Sequence, residues 1–173
     1  MPANVEIKAR IASVEALLPR AQALADDAHA QLIHQDDTFF TVPHGRLKLR
    51  LFADGAGELI HYHRPDVGGP KVSDYVIATV PEPDAMREAL SRACGLLGRV
   101  RKERILVLVG QTRLHLDRVE GLGDFLEIEV VLVPGQTEAE GQAIAHGLMA
   151  ALGVDEAALV SGAYLDLVLA QAG

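Results

Sequence analysis

The chain has 173 residues, 49% of them hydrophobic and 23% charged, with a formal net charge of -8 at pH 7. This composition excludes the disordered and fibrous classes and leaves enough length for a substantial core. The acidic balance argues against a general binder of nucleic acid polymers, so any phosphate recognition must rest on a local concentration of Lys and Arg.

Residues 4–10 alternate polar and aliphatic side chains and predict a first strand. Residues 13–30, rich in Ala and Leu, predict a helix disturbed at Pro19, whose nitrogen has no hydrogen to donate. Strands are expected over 37–42, 46–52, 58–64 and 74–79, separated by Gly- and Pro-containing turns that suggest antiparallel meanders. A second helix over 84–97 follows the Pro81-Glu82-Pro83 break, and strands over 100–109, 112–119 and 125–133 come next. Thr137 with Glu140 three residues on matches a capping box and starts a third helix, which Gly153 closes. The Leu-containing tail over 155–170 reads as a last helix. With no linker, low-complexity run or repeat, the chain reads as one α+β domain over 1–173, whose roughly eight antiparallel strands are enough to close a barrel.

Three of these strands carry their charge on one face. Asn4, Glu6, Lys8 and Arg10 oppose Val5, Ile7 and Ala9; Arg46, Lys48 and Arg50 oppose Leu47, Leu49 and Leu51; Glu127 and Glu129 oppose Leu126, Ile128 and Val130. Taken singly, each pattern fits an ordinary half-exposed strand with solvated charges. Taken together they point elsewhere, because adjacent like charges repel unless an anion or acidic neighbours offset them. If the aliphatic faces turn outward beneath the amphipathic helices, these charges point inward with Arg64, Lys102, Arg104 and Arg113. Such a lumen is costly unless its charges are paired or wet, which implies a functional cavity. Guanidinium groups on rigid strands hold phosphate oxygens through paired, charge-assisted hydrogen bonds. Magnesium commonly bridges carboxylates to phosphate oxygens, and Glu6, Asp117, Glu127 and Glu129 are the acidic candidates.

Other residues carry less. His61 and His63 share a strand face without a third ligand and read as outer-surface or packing residues. His115 shares a face with Arg113 and Asp117, which leaves both a tunnel and a packing position open. Gly68-Gly69 reads as a turn, since no phosphate-loop pattern follows it, and Lys71 as a solvated side chain. Ser73, Ser161 and Cys94 have no paired base, so nucleophilic catalysis lacks support. The single Cys94 forms no internal disulfide and suits a reducing compartment. With no secretory pattern and no apolar run of bilayer length, the expected location is cytoplasmic, without a membrane partner.

The chain resembles the CYTH domain, or triphosphate tunnel metalloenzyme, family, especially its class IV adenylyl cyclase branch. The matching segments are Asn-Val-Glu-Ile-Lys at 4–8, Gln-Asp-Asp-Thr-Phe-Phe at 35–40, Gly-Arg-Leu-Lys-Leu-Arg at 45–50 and Leu-Ile-His-Tyr-His-Arg at 59–64. Val-Arg-Lys-Glu-Arg at 100–104, Leu-Asp-Arg-Val-Glu-Gly-Leu-Gly at 116–123 and Phe-Leu-Glu-Ile-Glu at 125–129 complete them in order. The resemblance implies an antiparallel, roughly eight-stranded β-barrel tunnel with a charged lumen and helices outside. It implies that Lys8, Lys48, Arg50, Arg64, Lys102, Arg104 and Arg113 grip phosphates, and that Glu6, Asp117, Glu127 and Glu129 hold Mg2+ or Mn2+. Glu6 and Lys8 are then the catalytic residues, and Arg46 sits nearer the tunnel mouth. The implied reaction is conversion of ATP to cyclic AMP and pyrophosphate. Hydrolysis of an inorganic, nucleoside or thiamine triphosphate, and binding of a triphosphate or polyphosphate without turnover, are the alternatives. The partner is a small-molecule triphosphate, and the protein itself a monomer or homodimer. The family signature begins Glu-x-Glu-x-Lys, whereas the first position here is Asn4, a neutral amide.

Overall fold

Alternation along strand β1 (Asn4–Arg10) puts Val5, Ile7 and Ala9 into the core of the computed structural model, which describes residues 4–27, 29–63 and 74–172. Ser13 then caps helix α1 (Val14–Leu24), its Oγ accepting the Ala16 N–H at 2.9 Å. The helix ends at Leu24 rather than near residue 30, because the chain from Ala30 onward is already paired as strand β2 (Ala30–Phe40). Strands β3 (Arg46–Phe52), β4 (Gly57–His63) and β5 (Asp74–Val80) follow. Helix α2 (Pro83–Cys94) stops short of residue 97, since strand β6 (Leu96–Val109) begins there to pair with Phe40. Strands β7 (Thr112–Val119) and β8 (Gly123–Val131) lead to helix α3 (Glu138–Leu152), which has the reciprocal Thr137–Glu140 capping box and the left-handed Gly153 expected of it.

The tail departs from the single helix expected there. A 3-10 turn (Glu156–Ala158) gives way to a β-bridge between Leu159 and Ala9, and helix α4 (Tyr164–Ala172) starts only after the Asp166 side chain accepts the Ala163 N–H at 2.9 Å. None of the described helices is long and apolar enough to cross a membrane.

All eight strands among the described residues form one antiparallel sheet in the order β1-β8-β7-β6-β2-β3-β4-β5. The sheet is curled into a half-barrel, since inward side chains of the edge strands β1 and β5 line the same cavity. Helices α1 and α3 cover the aliphatic outer face of β1, β7 and β8 around Val5, Leu114, Leu116, Leu126 and Ile128. Helix α2 covers β2 and β3 around Phe40 and Leu49. A third apolar cluster lies on the inner face, where Tyr164 and Leu165 meet Phe39, Val100 and Phe125. Gly98 permits that contact, because a Cβ there would stand 2.8 Å from Leu165 Cδ1.

Candidate functional site

The hollow of the half-barrel is a cavity of about 420 Å3 whose wall carries six cations among the described residues, Lys8, Lys48, Arg50, Lys102, Arg104 and Arg113. Strand register explains their convergence. Across β1 and β8, Glu6 lies opposite Glu129 and Lys8 opposite Glu127; across β7 and β8, Arg113 lies opposite Glu129 and His115 opposite Glu127. Arg104 lies opposite Asp117, and Arg50 opposite Asp37. The period-2 alternation read from the sequence thus becomes rows of neighbouring charges across the sheet.

Three carboxylates hold the two arginines at the centre. Arg50 donates to both oxygens of Asp37 at 2.8 Å, and Lys48 Nζ lies 3.2 Å from the same group. Burial would raise the Asp37 carboxyl, but Lys48 and Arg50 hold it well below the carboxylate range. Arg104 donates to Asp117 at 2.8 and 2.7 Å and to Glu127 at 3.0 Å. Glu127 is held far below its usual value in the same way, Arg104 and Lys8 outweighing burial. Burial lowers the Lys48 ammonium to about 8 against the pull of Asp37, and burial with Arg104 lowers Lys102 to about 7. No carboxylate among the described residues pairs with Lys102, whose Nζ stands 5.1 Å from the centre of the Tyr164 ring. His115, pushed down to about 3 by burial and Arg104, is a neutral imidazole.

Ten of the eleven residues named from the sequence lie among the described residues, and nine of those line the cavity: Glu6, Lys8, Lys48, Arg50, Lys102, Arg104, Arg113, Glu127 and Glu129. Arg64, Gly68, Gly69, Lys71 and Ser73 fall outside the described residues. Asp117 is fully buried behind Arg104 and also accepts the Tyr164 hydroxyl at 2.7 Å, so its oxygens face the protein. Arg46 pairs with Asp166 at the start of α4 at 2.5 Å. His115 lines the lumen, while His61 points outward, its Nε2 3.0 Å from the His44 carbonyl. Sequence reasoning passed over Asp37, although 35, 37 and 39 share a face, and over Tyr164, which only the tertiary fold brings in. It also passed over an apolar wall of Ile60, Tyr62, Tyr75 and Ile77.

The oxygen donors suit a hard divalent cation, and Glu6 opposite Glu129 is a like-charge pair that such an ion would neutralise. The described residues hold no ready-made group of three or more His, Cys, Asp or Glu. Magnesium, however, is usually bound through one or two carboxylates plus substrate phosphates, which the pair on β1 and β8 can supply. Asn4 sits beside them, its Nδ2 donating to Glu129 Oε1 at 2.6 Å, and Arg113 binds the same oxygen. A second hollow of about 630 Å3 is lined by Arg101, Glu103, Arg118 and Glu120, in which Arg101 pairs with Glu120 and Arg118 with Glu103.

A curled antiparallel sheet with an inward cationic wall and aliphatic outer faces under helices defines a charged-tunnel class of protein. The chain belongs to the CYTH domain family, which it matches over residues 2–164. Solved structures agree on the fold. The PH1012 protein of Pyrococcus horikoshii OT3 is 24% identical, with 95% of this chain and 98% of that one covered at a TM-score of 0.82. An adenylate cyclase candidate of Vibrio parahaemolyticus is 17% identical, with 96% and 97% covered at 0.76. HpAC1 of Hippeastrum, an adenylyl cyclase candidate with a dominant triphosphatase activity, is 18% identical, with 89% of each chain covered at 0.66. No curated protein matches the chain.

Proposed function

We propose that the chain is a divalent-metal-dependent enzyme that acts on a small-molecule triphosphate held in the half-barrel. The observation that carries this reading is the set of six lumen cations, among which Lys102 has no carboxylate partner among the described residues. Buried ammonium and guanidinium groups kept on rigid strands favour a polyanion over any neutral ligand. In this reading Lys48, Arg50, Lys102 and Arg104 hold the phosphate oxygens, and Asp37 and Asp117 orient the two arginines. Glu6, Glu127 and Glu129 would hold Mg2+ or Mn2+, which when bound polarises a phosphoryl group and lowers the pKa of an attacking hydroxyl or water.

The leading reaction is cyclisation of ATP. The ribose hydroxyl oxygen bonds to the α-phosphorus as its proton passes to solvent, the bond from that phosphorus to the bridging oxygen breaks, and pyrophosphate leaves with the electron pair. The lumen cations then stabilise the charge gathering on the leaving group. Hydrolysis is the second reading, supported by the fold shared with HpAC1. Water there bonds to the terminal phosphorus and gives up a proton to solvent, the bond from that phosphorus to the bridging oxygen breaks, and orthophosphate separates from the diphosphate leaving group in the same cationic setting.

Products separate the two. The chain, incubated with ATP, tripolyphosphate or thiamine triphosphate and either magnesium or manganese, is expected to release cyclic AMP and pyrophosphate from ATP. Orthophosphate instead identifies the hydrolase, and tight binding without product identifies a binder.

A further inference from the structure

Tyr164 lies on α4, far in sequence from every strand that supplies a described lumen cation, yet two of those cations stand over its ring and a third, Arg104, is linked to its hydroxyl through Asp117. Its hydroxyl donates to Asp117 Oδ2 at 2.7 Å, and Asp117 in turn accepts Arg104 Nε and an Arg104 terminal nitrogen at 2.8 and 2.7 Å. Over its ring stand Lys8 Nζ at 4.1 Å and Lys102 Nζ at 5.1 Å from the centroid. Tyr164 is only 5% exposed, and it meets Phe125 edge to face with ring centroids 5.1 Å apart.

The segment that delivers it is tied to the site strands themselves. The Val160 N–H donates to the Lys8 carbonyl at 2.8 Å, Lys8 Nζ donates to the Gly162 carbonyl at 3.2 Å, and Arg46 on β3 pairs with Asp166. A core tyrosine with only a packing role needs neither a charged acceptor nor ammonium groups over its ring. A half-buried ammonium with no carboxylate partner among the described residues, as at Lys102, needs some compensation, and the negative face of an aromatic ring supplies it.

We propose that Tyr164 is a positioning residue of the triphosphate site, fixing Arg104 through Asp117 and holding Lys8 and Lys102 over its ring. The inference rests on the triphosphate reading above. It assigns to the C-terminal helix a share in building the site, in addition to packing on β6. Two separable links follow, one through the hydroxyl and one through the ring face.

Tyr164→Phe removes the first link and keeps the second, whereas Tyr164→Leu removes both. Magnesium tripolyphosphate is titrated calorimetrically into the full chain, both variants, Lys102→Met and the two double variants Tyr164→Phe/Lys102→Met and Tyr164→Leu/Lys102→Met, alongside their melting temperatures. Loss of the hydroxyl is expected to weaken binding about threefold to tenfold. Loss of the ring is expected to weaken it about thirtyfold, and most of the difference between Leu and Phe should vanish once Lys102 is gone. Melting temperatures that fall while affinities stay at the wild-type value would make Tyr164 structural only and overturn the proposal. So would full additivity of Tyr164→Leu with Lys102→Met. If Tyr164→Leu fails to fold, Tyr164→Phe decides, since it keeps the contact with Phe125: unchanged affinity sinks the proposal. A wild-type chain that gives no binding overturns the triphosphate reading itself, an outcome distinct from binding that ignores Tyr164.

Discussion

Lys102 and Lys48 are ammonium groups held against their ordinary preference, lowered to about 7 and about 8 by burial, with Arg104 adding to the effect at Lys102. A polyanion beside them favours the protonated form, so binding of tripolyphosphate at about pH 8 should take up protons. Calorimetry in two buffers of different ionisation enthalpy measures this, and Lys102→Met should remove a large part of the uptake; equal heats in both buffers would contradict it. For the ligand-free protein the sign is reversed. Both folded values lie below the ordinary lysine value of 10.5, so their stability contribution is fully present above that pH and is lost as pH falls through 8 and 7. Asn4→Glu replaces a 2.6 Å donor to Glu129 with a like charge, so the metal-free protein should lose about 1–3 kcal/mol while manganese raises its melting temperature more than that of the wild type. A variant with unchanged metal affinity would contradict that account of Asn4. Strict alternation made most lumen residues legible, but Asp37 was hidden by the adjacent Asp36, which leaves the inward acid ambiguous until the neighbouring Gln35 and Phe39 are placed. Tyr164 had no local signal, because its partners lie on β1, β6 and β7.

At the scale of elements, strands and helices were legible wherever side-chain period and caps agreed, as in β3, β7 and α3. The Thr137–Glu140 capping box satisfies backbone donors at both residues, and Thr137→Ala should cost about 1 kcal/mol, read as a lowered melting temperature without loss of triphosphate binding. Boundaries failed where tertiary pairing prevailed over composition. Ala-rich residues after Leu24 read as helix, yet β2 starts at Ala30 because β6 offers it a long antiparallel partner. The tail read as one helix, yet it is interrupted to bridge Ala9 and to bring Tyr164 inward. That inward packing depends on the close approach at Gly98. Gly98→Val would force Leu165 aside and should destabilise the chain by about 1–3 kcal/mol; denaturant unfolding measures it, and wild-type stability would show that α4 does not depend on this contact.

In the molecule as a whole, a formal charge of -8 coexists with a concave wall on which the described residues alone place six cations. The sheet accounts for the coexistence, because its aliphatic faces lie under α1, α2 and α3 and leave the charged faces to the hollow. The class of fold was legible from the same alternation, since three amphipathic helices need apolar sheet to cover. The lack of pairing between β1 and β5 among the described residues was not, because pairing between distant edge strands leaves no periodic trace in either of them. Neither was the closing of one part of the hollow by α4. If this wall is the triphosphate site we propose, titration of magnesium tripolyphosphate into the wild-type chain and into Arg50→Ala will show it. Saturable binding by the wild type, weakened at least about tenfold in an Arg50→Ala protein that still unfolds cooperatively, is the expected result. No binding by the wild type, or equal binding by both, would contradict it.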